Sequence, residues 1–161
     1  MEQLSVRQCQ REDCADIWSW RNDELARRMS HETDPIPWVE HCEWYERALQ
    51  DDARLLLLAL LGEDRIGMGR FDFVEKDVAT VSINMNPGFR GKGLGRAALD
   101  SFCEYAFRER GPGRILAEVK SDNRASRRCF EACGFQLQRE SDGILHYVLT
   151  KPAAPRPCDD C

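Results

Sequence analysis

The sequence predicts an α/β fold with about seven strands on one sheet and about four helices. Three features carry that expectation. Apolar residues alternate with polar ones over several short segments, recur at helical spacing over others, and the two kinds of segment are interleaved along the chain. A length of 161 residues is about one domain's worth, enough for a single core. Residues 1–151 read as one domain and residues 152–161, proline-rich and carrying Cys158 and Cys161, as a disordered tail.

Leu4 and Val6, set among polar neighbours, predict a first strand at about residues 3–9. Asp13 then occupies the N-cap of a helix carrying Ile17, Trp18 and Trp20. Pro35 and Pro37 interrupt the chain, and Pro37 is tolerated in the first turn of a second helix bearing Val39, Cys42 and Leu49. The apolar run 54–61 lies between Asp51-Asp52 and Gly62-Glu63-Asp64, as expected of a buried strand entering a hairpin. Ile66 and Met68 share one parity while Phe71 and Phe73 share the other, which places a bulge near Gly69 in the third strand. The fourth strand puts Val81, Ile83 and Met85 on one face and Thr80, Ser82 and Asn84 on the other. After a glycine-rich loop, Leu99, Phe102, Cys103, Ala106 and Phe107 mark a helix that Gly111 can end. Residues 114–120 form a fifth strand, 123–133 a helix closed by Gly134, and 135–149 a hairpin turning at Asp142-Gly143.

With 42% apolar and 32% charged residues, the composition is that of a water-soluble globular protein. The longest apolar run, Leu55 to Leu61, falls well short of the roughly 20 residues a bilayer span requires. No basic-then-apolar leader follows Met1, so a cytoplasmic protein without a membrane partner is expected, as monomer or homodimer. Of the eight cysteines, the six up to Cys133 read as buried free thiols, and the lone Cys158/Cys161 pair in the tail lacks the second pair of a structural zinc site, so no metal is expected. A formal charge of -5 argues against nucleic acid, yet residues 86–128 hold ten basic against five acidic side chains. Residues 12–52 hold twelve acids against four arginines. A polyanion is thus expected in one half and a neutral or cationic group in the other, unless solvated helix faces cause the imbalance.

Arg90-Gly91-Lys92-Gly93-Leu94-Gly95 stands between a strand and a helix, where glycines let successive backbone N–H groups face a phosphate at the helix N-terminus. Arg90, Lys92 and Arg96 add positive charge. A Walker loop would continue with Lys and Ser or Thr, whereas Arg96-Ala97 follows here. This loop, together with residues 123–135 (NRASRRCFEACGF), resembles the paired motifs of the GNAT N-acetyltransferase family, R/Q-x-x-G-x-G/A and N-x-x-S-x-x-x-Y/F-E-x-x-G-F. The resemblance implies a mixed, mainly antiparallel sheet splayed between the fourth and fifth strands, and acetyl-CoA as cosubstrate. It also implies that the pyrophosphate rests on Gly91 to Arg96 and that the pantetheine bonds the main chain of Ile83 and Met85, with Asn123 on its other side. Met85 N–H would then face the thioester oxygen.

Many members carry Tyr where this chain has Phe130, which cannot protonate the leaving thiolate. Ser126 is the nearest compatible hydroxyl, against the alternative that it bonds its own helix backbone. His31 is the base candidate beside the acidic segment, with Glu32, Asp72 and His146 as others. The segment Trp20-Arg21-Asn22-Asp23, then Arg28-Met29, is similar to the opening of GNAT enzymes acting on nucleotide-linked amino sugars and, more distantly, to ribosomal-protein N-terminal acetyltransferases. That likeness implies Trp20, Arg21, Arg28 and Met29 at a small-molecule amine acceptor, the arginines taking a diphosphate or else pairing with nearby acids. A GNAT module that binds CoA without transferring acetyl is the reading from another class.

Overall fold

The computed structural model describes residues 3–153; Cys158 and Cys161 lie outside them. One seven-stranded sheet runs in the order β1-β2-β3-β4-β5-β7-β6. Its strands are β1 (Leu4–Gln8), β2 (Arg54–Leu61), β3 (Asp64–Glu75), β4 (Val78–Met85), β5 (Arg114–Lys120), β6 (Gln136–Ser141) and β7 (Ile144–Thr150). The β4–β5 pair is parallel and every other pair antiparallel. Helices α1 (Cys14–Arg21), α2 (Glu24–Arg28) and α3 (Trp38–Gln50) precede β2, while α4 (Leu94–Glu109) and α5 (Arg124–Ala132) flank β5 in sequence. Among the described residues, no helix is long and apolar enough to cross a membrane.

The apolar run of β2 is continuous because both of its faces are covered. Leu55, Leu57 and Ala59 join the core beneath α4 and α5, with Phe71, Val81, Leu99, Phe102, Ile115 and Phe130. Leu56 and Leu58 join a second core beneath α1 and α3, with Ile17, Trp20, Tyr45 and Met68. Against β2 the bulge in β3 lies at Ile66, not near Gly69, and a second register shift, against β4, falls between Asp72 and Glu75. Ala59 pairs with Gly67 and Leu60 with Arg65, so Ile66 is the extra residue, and it turns into the α4–α5 core while Met68 enters the other. Gly69 has a packing role instead, since a Cβ there would stand 2.7 Å from the Phe102 ring. At the β6–β7 turn Asp142 and Gly143 both have positive φ, the geometry a two-residue hairpin requires.

Asp13 corrects another expectation. It precedes α1, but its side chain makes no capping bond to that helix. The fully buried carboxylate instead accepts from Arg7 at 2.7 and 3.0 Å, from Arg65 Nε at 2.8 Å and from the Gln10 N–H at 2.8 Å. One side chain thereby ties β1, β3 and the entry to α1. The short helix α2, absent from the sequence reading, is capped by Asp23, whose Oδ2 accepts from the Ala26 N–H at 3.1 Å.

Burial alone would raise the Asp13 carboxyl, but the bonds from Arg7, Gln10 N–H and Arg65 outweigh it and hold the group below the ordinary carboxylate value. A depressed carboxylate stabilises the fold above its unfolded pKa of about 3.9 and loses that contribution as pH falls through the folded value. Asp13→Asn is therefore expected to cost about 3 kcal/mol at neutral pH in urea unfolding. The gap to the parent should narrow below about pH 4, where the unfolded chain takes up the proton, and close only as pH falls through the lower folded value.

Candidate active site

Strands β4 and β5 pair only from Val78, Ala79 and Thr80 to Arg114, Ile115 and Leu116. Beyond that point they part, so residues 81–85 and 117–120 face each other across a cleft in the sheet without ladder bonds between them. Ile83 and Met85 lie on the parted stretch, with side chains packed on the α4–α5 core. Ser82 and Asn84 face the α1–α3 side, in register with Arg70 and Met68 of β3.

The loop beyond β4 turns at residues 87–89, where Asn86 Oδ1 accepts from the Gly88 N–H at 3.0 Å. Gly91 and Gly93 have φ of 76° and 74°, and a Cβ on either would meet nothing within 4 Å. These glycines are demanded by backbone conformation, and the space before them is open. Gly93 caps α4 without a side-chain bond, which leaves the first N–H groups of α4 available to an anion. Lys92 and Arg96 are exposed beside the loop. Arg90 is placed otherwise: its Nη2 lies 2.6 Å from Asp23 Oδ2, joining the loop to the α2 cap. Leu94 and Gly95 form the first turn, and a Cβ at Gly95 would stand 3.5 Å from Cys129 Sγ and 3.9 Å from Met85 Cγ.

Asn123 caps α5, its Oδ1 accepting from the Ser126 N–H at 3.2 Å. Ser126 is half-buried, and its hydroxyl makes no hydrogen bond among the described residues, so the expected bond to its own helix is not observed. Phe130 is a core side chain, edge-on to Phe135 at 4.9 Å and stacked on Tyr147 at 6.3 Å. Burial pushes the Cys129 thiol up to about 11, which keeps it protonated.

On the opposite face of the cleft, Glu118 of β5 stands between two imidazoles. His31 Nε2 is 3.1 Å from its Oε2 and His146 Nδ1 3.6 Å from its Oε1. Lys120 Nζ donates to the Arg28 carbonyl at 3.0 Å. The segment from Asp23 to His31 therefore crosses the cleft, tied to the loop after β4 at one end and to β5 at the other. Glu118 was missed in the sequence although its parity in β5 opposes the core positions Ile115, Ala117 and Val119. The structure brings His31 and His146 together but not Asp72, which pairs with Arg54 and Arg70 at the closed end, nor exposed Glu32.

The four acceptor candidates do not converge. Trp20 is core, Met29 half-buried, and Arg28 pairs with Glu24 at 3.4 Å on the surface. Arg21 lies 4.4 Å from the centre of the Trp44 ring and donates to His41 Nδ1 at 3.1 Å. His41 is fully buried, and its Nε2 reaches the Cys14 carbonyl at 3.0 Å. Bonding both partners requires a neutral ring with hydrogen on Nε2.

Residues 3–136 match the Acetyltransferase (GNAT) domain family. The chain belongs to that family. This GNAT acetyltransferase is 31% identical over 137 residues to the uncharacterized N-acetyltransferase YfmK of Bacillus subtilis, which covers 81% of this chain and 84% of that protein. It is 24% identical over 133 residues to the acetyltransferase PseH of Campylobacter jejuni, with 83% of each covered. Spermidine N-acetyltransferase from Vibrio cholerae, solved with CoA and spermine, shares the fold at a TM-score of 0.83 and 20% identity, over 92% of this chain and 96% of that one. The aminoglycoside acetyltransferase AAC(6')-Ib, solved with coenzyme A, does so at 0.78 and 20%, over 92% and 95%. The splayed pair β4–β5 is thus the one the family resemblance implied.

Burial, aided by the charge of Arg21 and opposed by the Cys14 carbonyl, holds His41 below the ordinary imidazole value. A histidine kept neutral by the fold stabilises it fully above the unfolded pKa of about 6.5, and that contribution shrinks as pH falls from there toward the folded value. Urea unfolding should show the parent losing stability between about pH 7.5 and pH 5, and His41→Gln losing less over the same interval.

Proposed function

We propose that this GNAT acetyltransferase moves the acetyl group of acetyl-CoA to a primary amine at the cleft between β4 and β5. The observation that carries the reading is the open glycine loop, with Gly91 and Gly93 at positive φ, capping α4 beside strands that have parted. The pyrophosphate rests on the N–H groups of Gly91, Gly93, Leu94, Gly95 and Arg96, with charge from Lys92 and Arg96. Arg90, held by Asp23, contributes its backbone and positions the loop. The pantetheine runs along the free edge of β4 at Ile83 and Met85, adding itself as a short strand, and Asn123 meets it from α5.

The donor enters from the α4 side, so the amine attacks the thioester carbon from the α1–α3 side. The Met85 N–H donates to the oxyanion as it forms. Glu118, assisted by His31 or His146 beside it, takes the proton that the amine loses. The carbon–sulfur bond then breaks and the CoA thiolate departs, taking a proton from water. No hydroxyl is needed at Phe130, because a thiol with a pKa of about 8.5 is already a good leaving group. The Trp20-Arg21-Asn22-Asp23 segment supports an amino sugar linked to a nucleotide as the acceptor.

Gly93→Val should weaken CoA binding by about 2 kcal/mol in calorimetry, because a branched side chain resists positive φ and intrudes on the anion's space. Unchanged affinity in folded protein would remove the loop assignment. Glu118→Gln is expected to lower kcat by roughly 100-fold or more with the acetyl-CoA Kd unchanged. A silent Glu118→Gln would leave the proton to a water relay. Ser126→Ala should be nearly silent in kcat, and a large loss with CoA binding intact would make Ser126 the acid.

A further inference from the structure

We propose that Arg21 and Arg70, both set against the Trp44 ring, form a site for an anionic group, phosphate or carboxylate, carried by the amine acceptor. The inference rests on the acetyl-transfer reading, which puts the acceptor on the α1–α3 face of the cleft. Arg21 and Arg70 lie 4.4 and 5.8 Å from the centre of the Trp44 ring. Arg70 belongs to β3 and stands in register with Ser82, on the stretch of β4 that has parted from β5.

What holds Arg21 is unusual for a half-buried cation. Among the described residues no carboxylate lies within 4.0 Å of it; its partners are the indole face and the Nδ1 of neutral, fully buried His41. A carboxylate would fix the guanidinium and cancel its charge, whereas a neutral imidazole fixes it and leaves the charge in place. Among the described residues only Nη1 of Arg21 has a hydrogen-bond partner, and none of its nitrogens is fully buried without one.

Arg70 adds to this rather than relieving it. Asp72 lies 3.0 Å from its Nε but is shared with Arg54 at 3.5 Å, and the buried Nε makes no well-aligned hydrogen bond. Burial, then the neighbouring charge of Arg70, pull the Arg21 pKa down against the smaller opposing pull of Glu40, so the two cations press on each other in the absence of a ligand. An anion between them would relieve that repulsion. Arg28, which the sequence paired with Arg21, is engaged by Glu24 at the surface; Arg70 takes its place.

The spacing bounds the acceptor. Arg70 is one strand spacing from β4, and its partner Ser82 lies three residues from Met85, so the anion stands within about 11 Å of the amine. An amino-sugar phosphate meets that requirement, and a polyamine would be repelled.

The test titrates inorganic phosphate and, separately, acetate into CoA-saturated protein by calorimetry, so that the glycine loop is already filled. Binding of either anion should weaken by roughly tenfold in Arg21→Met and in Arg70→Met, the size of one lost charge-assisted bond, and stay unchanged in Arg47→Met on the exposed face of α3. Which anion binds identifies the group. In turnover, the preference for glucosamine 6-phosphate over glucosamine in kcat/KM should fall by roughly tenfold in Arg70→Met, with the acetyl-CoA Kd unchanged. Equal anion binding in the parent and both variants, or none in folded parent, overturns the site. Failure to bind CoA would instead overturn the acetyl-transfer reading, and the same comparison of parent and variants on the free protein would still judge the anion site.

Discussion

The arrangement depends on a break in the middle of a sheet. A pair of parallel strands that stops bonding after three residues leaves backbone donors and acceptors facing each other with no partner across the gap, a costly state in the interior of a fold. The cleft persists because each wall is held from its other side. Strand β4 is laddered to β3 along most of its length, and β5 is paired with β7 at all seven residues. Inserting β7 beside β5, out of sequence order, is what lets β5 leave β4 without leaving the sheet. Everything around the gap is positioned relative to those two walls: the glycine loop at the end of β4, α5 at the end of β5, and the Asp23–His31 segment bridging them.

Features set by neighbours in sequence were legible before the structure. The β6–β7 turn, the glycine loop and the limits of β5 each follow from a few consecutive residues. Features set by distant partners were not. Asp13 has the residue type and place of a cap, and only the approach of Arg7 and Arg65 turns it into a buried ionic tie. Glu118 is an ordinary outward position of a strand until His31 and His146 arrive from elsewhere in the chain. The bulge was correctly inferred from the parity break in β3, yet its location required the register with β2. Helix α2, five residues long, is too short for periodicity to reveal.

Charge was the least transparent quantity. The acidic excess of residues 12–52 suggested a neutral or cationic group on that side. Many of those acids are spoken for: Asp13 and Asp16 by Arg65, Asp23 by Arg90, Glu24 by Arg28, Glu46 by Arg11 and Asp51 by Arg54. What faces the sheet near Trp44 is arginine. A sum over a segment counts charges that pairing has already cancelled, so it describes the far field and not the lining of a site.

The contact between Gly69 and Phe102 bears on the glycine loop some distance away. With no Cβ on the strand, the ring lies directly on backbone, and α4 is seated as low on the sheet as a helix carrying phenylalanine can be. A seat of that kind has no compressible side chain beneath it, so the height and tilt of the helix are set by hard contact. The N–H groups at the start of α4 are therefore aimed by the fold itself, and the phosphate site we propose there would need little further ordering on binding.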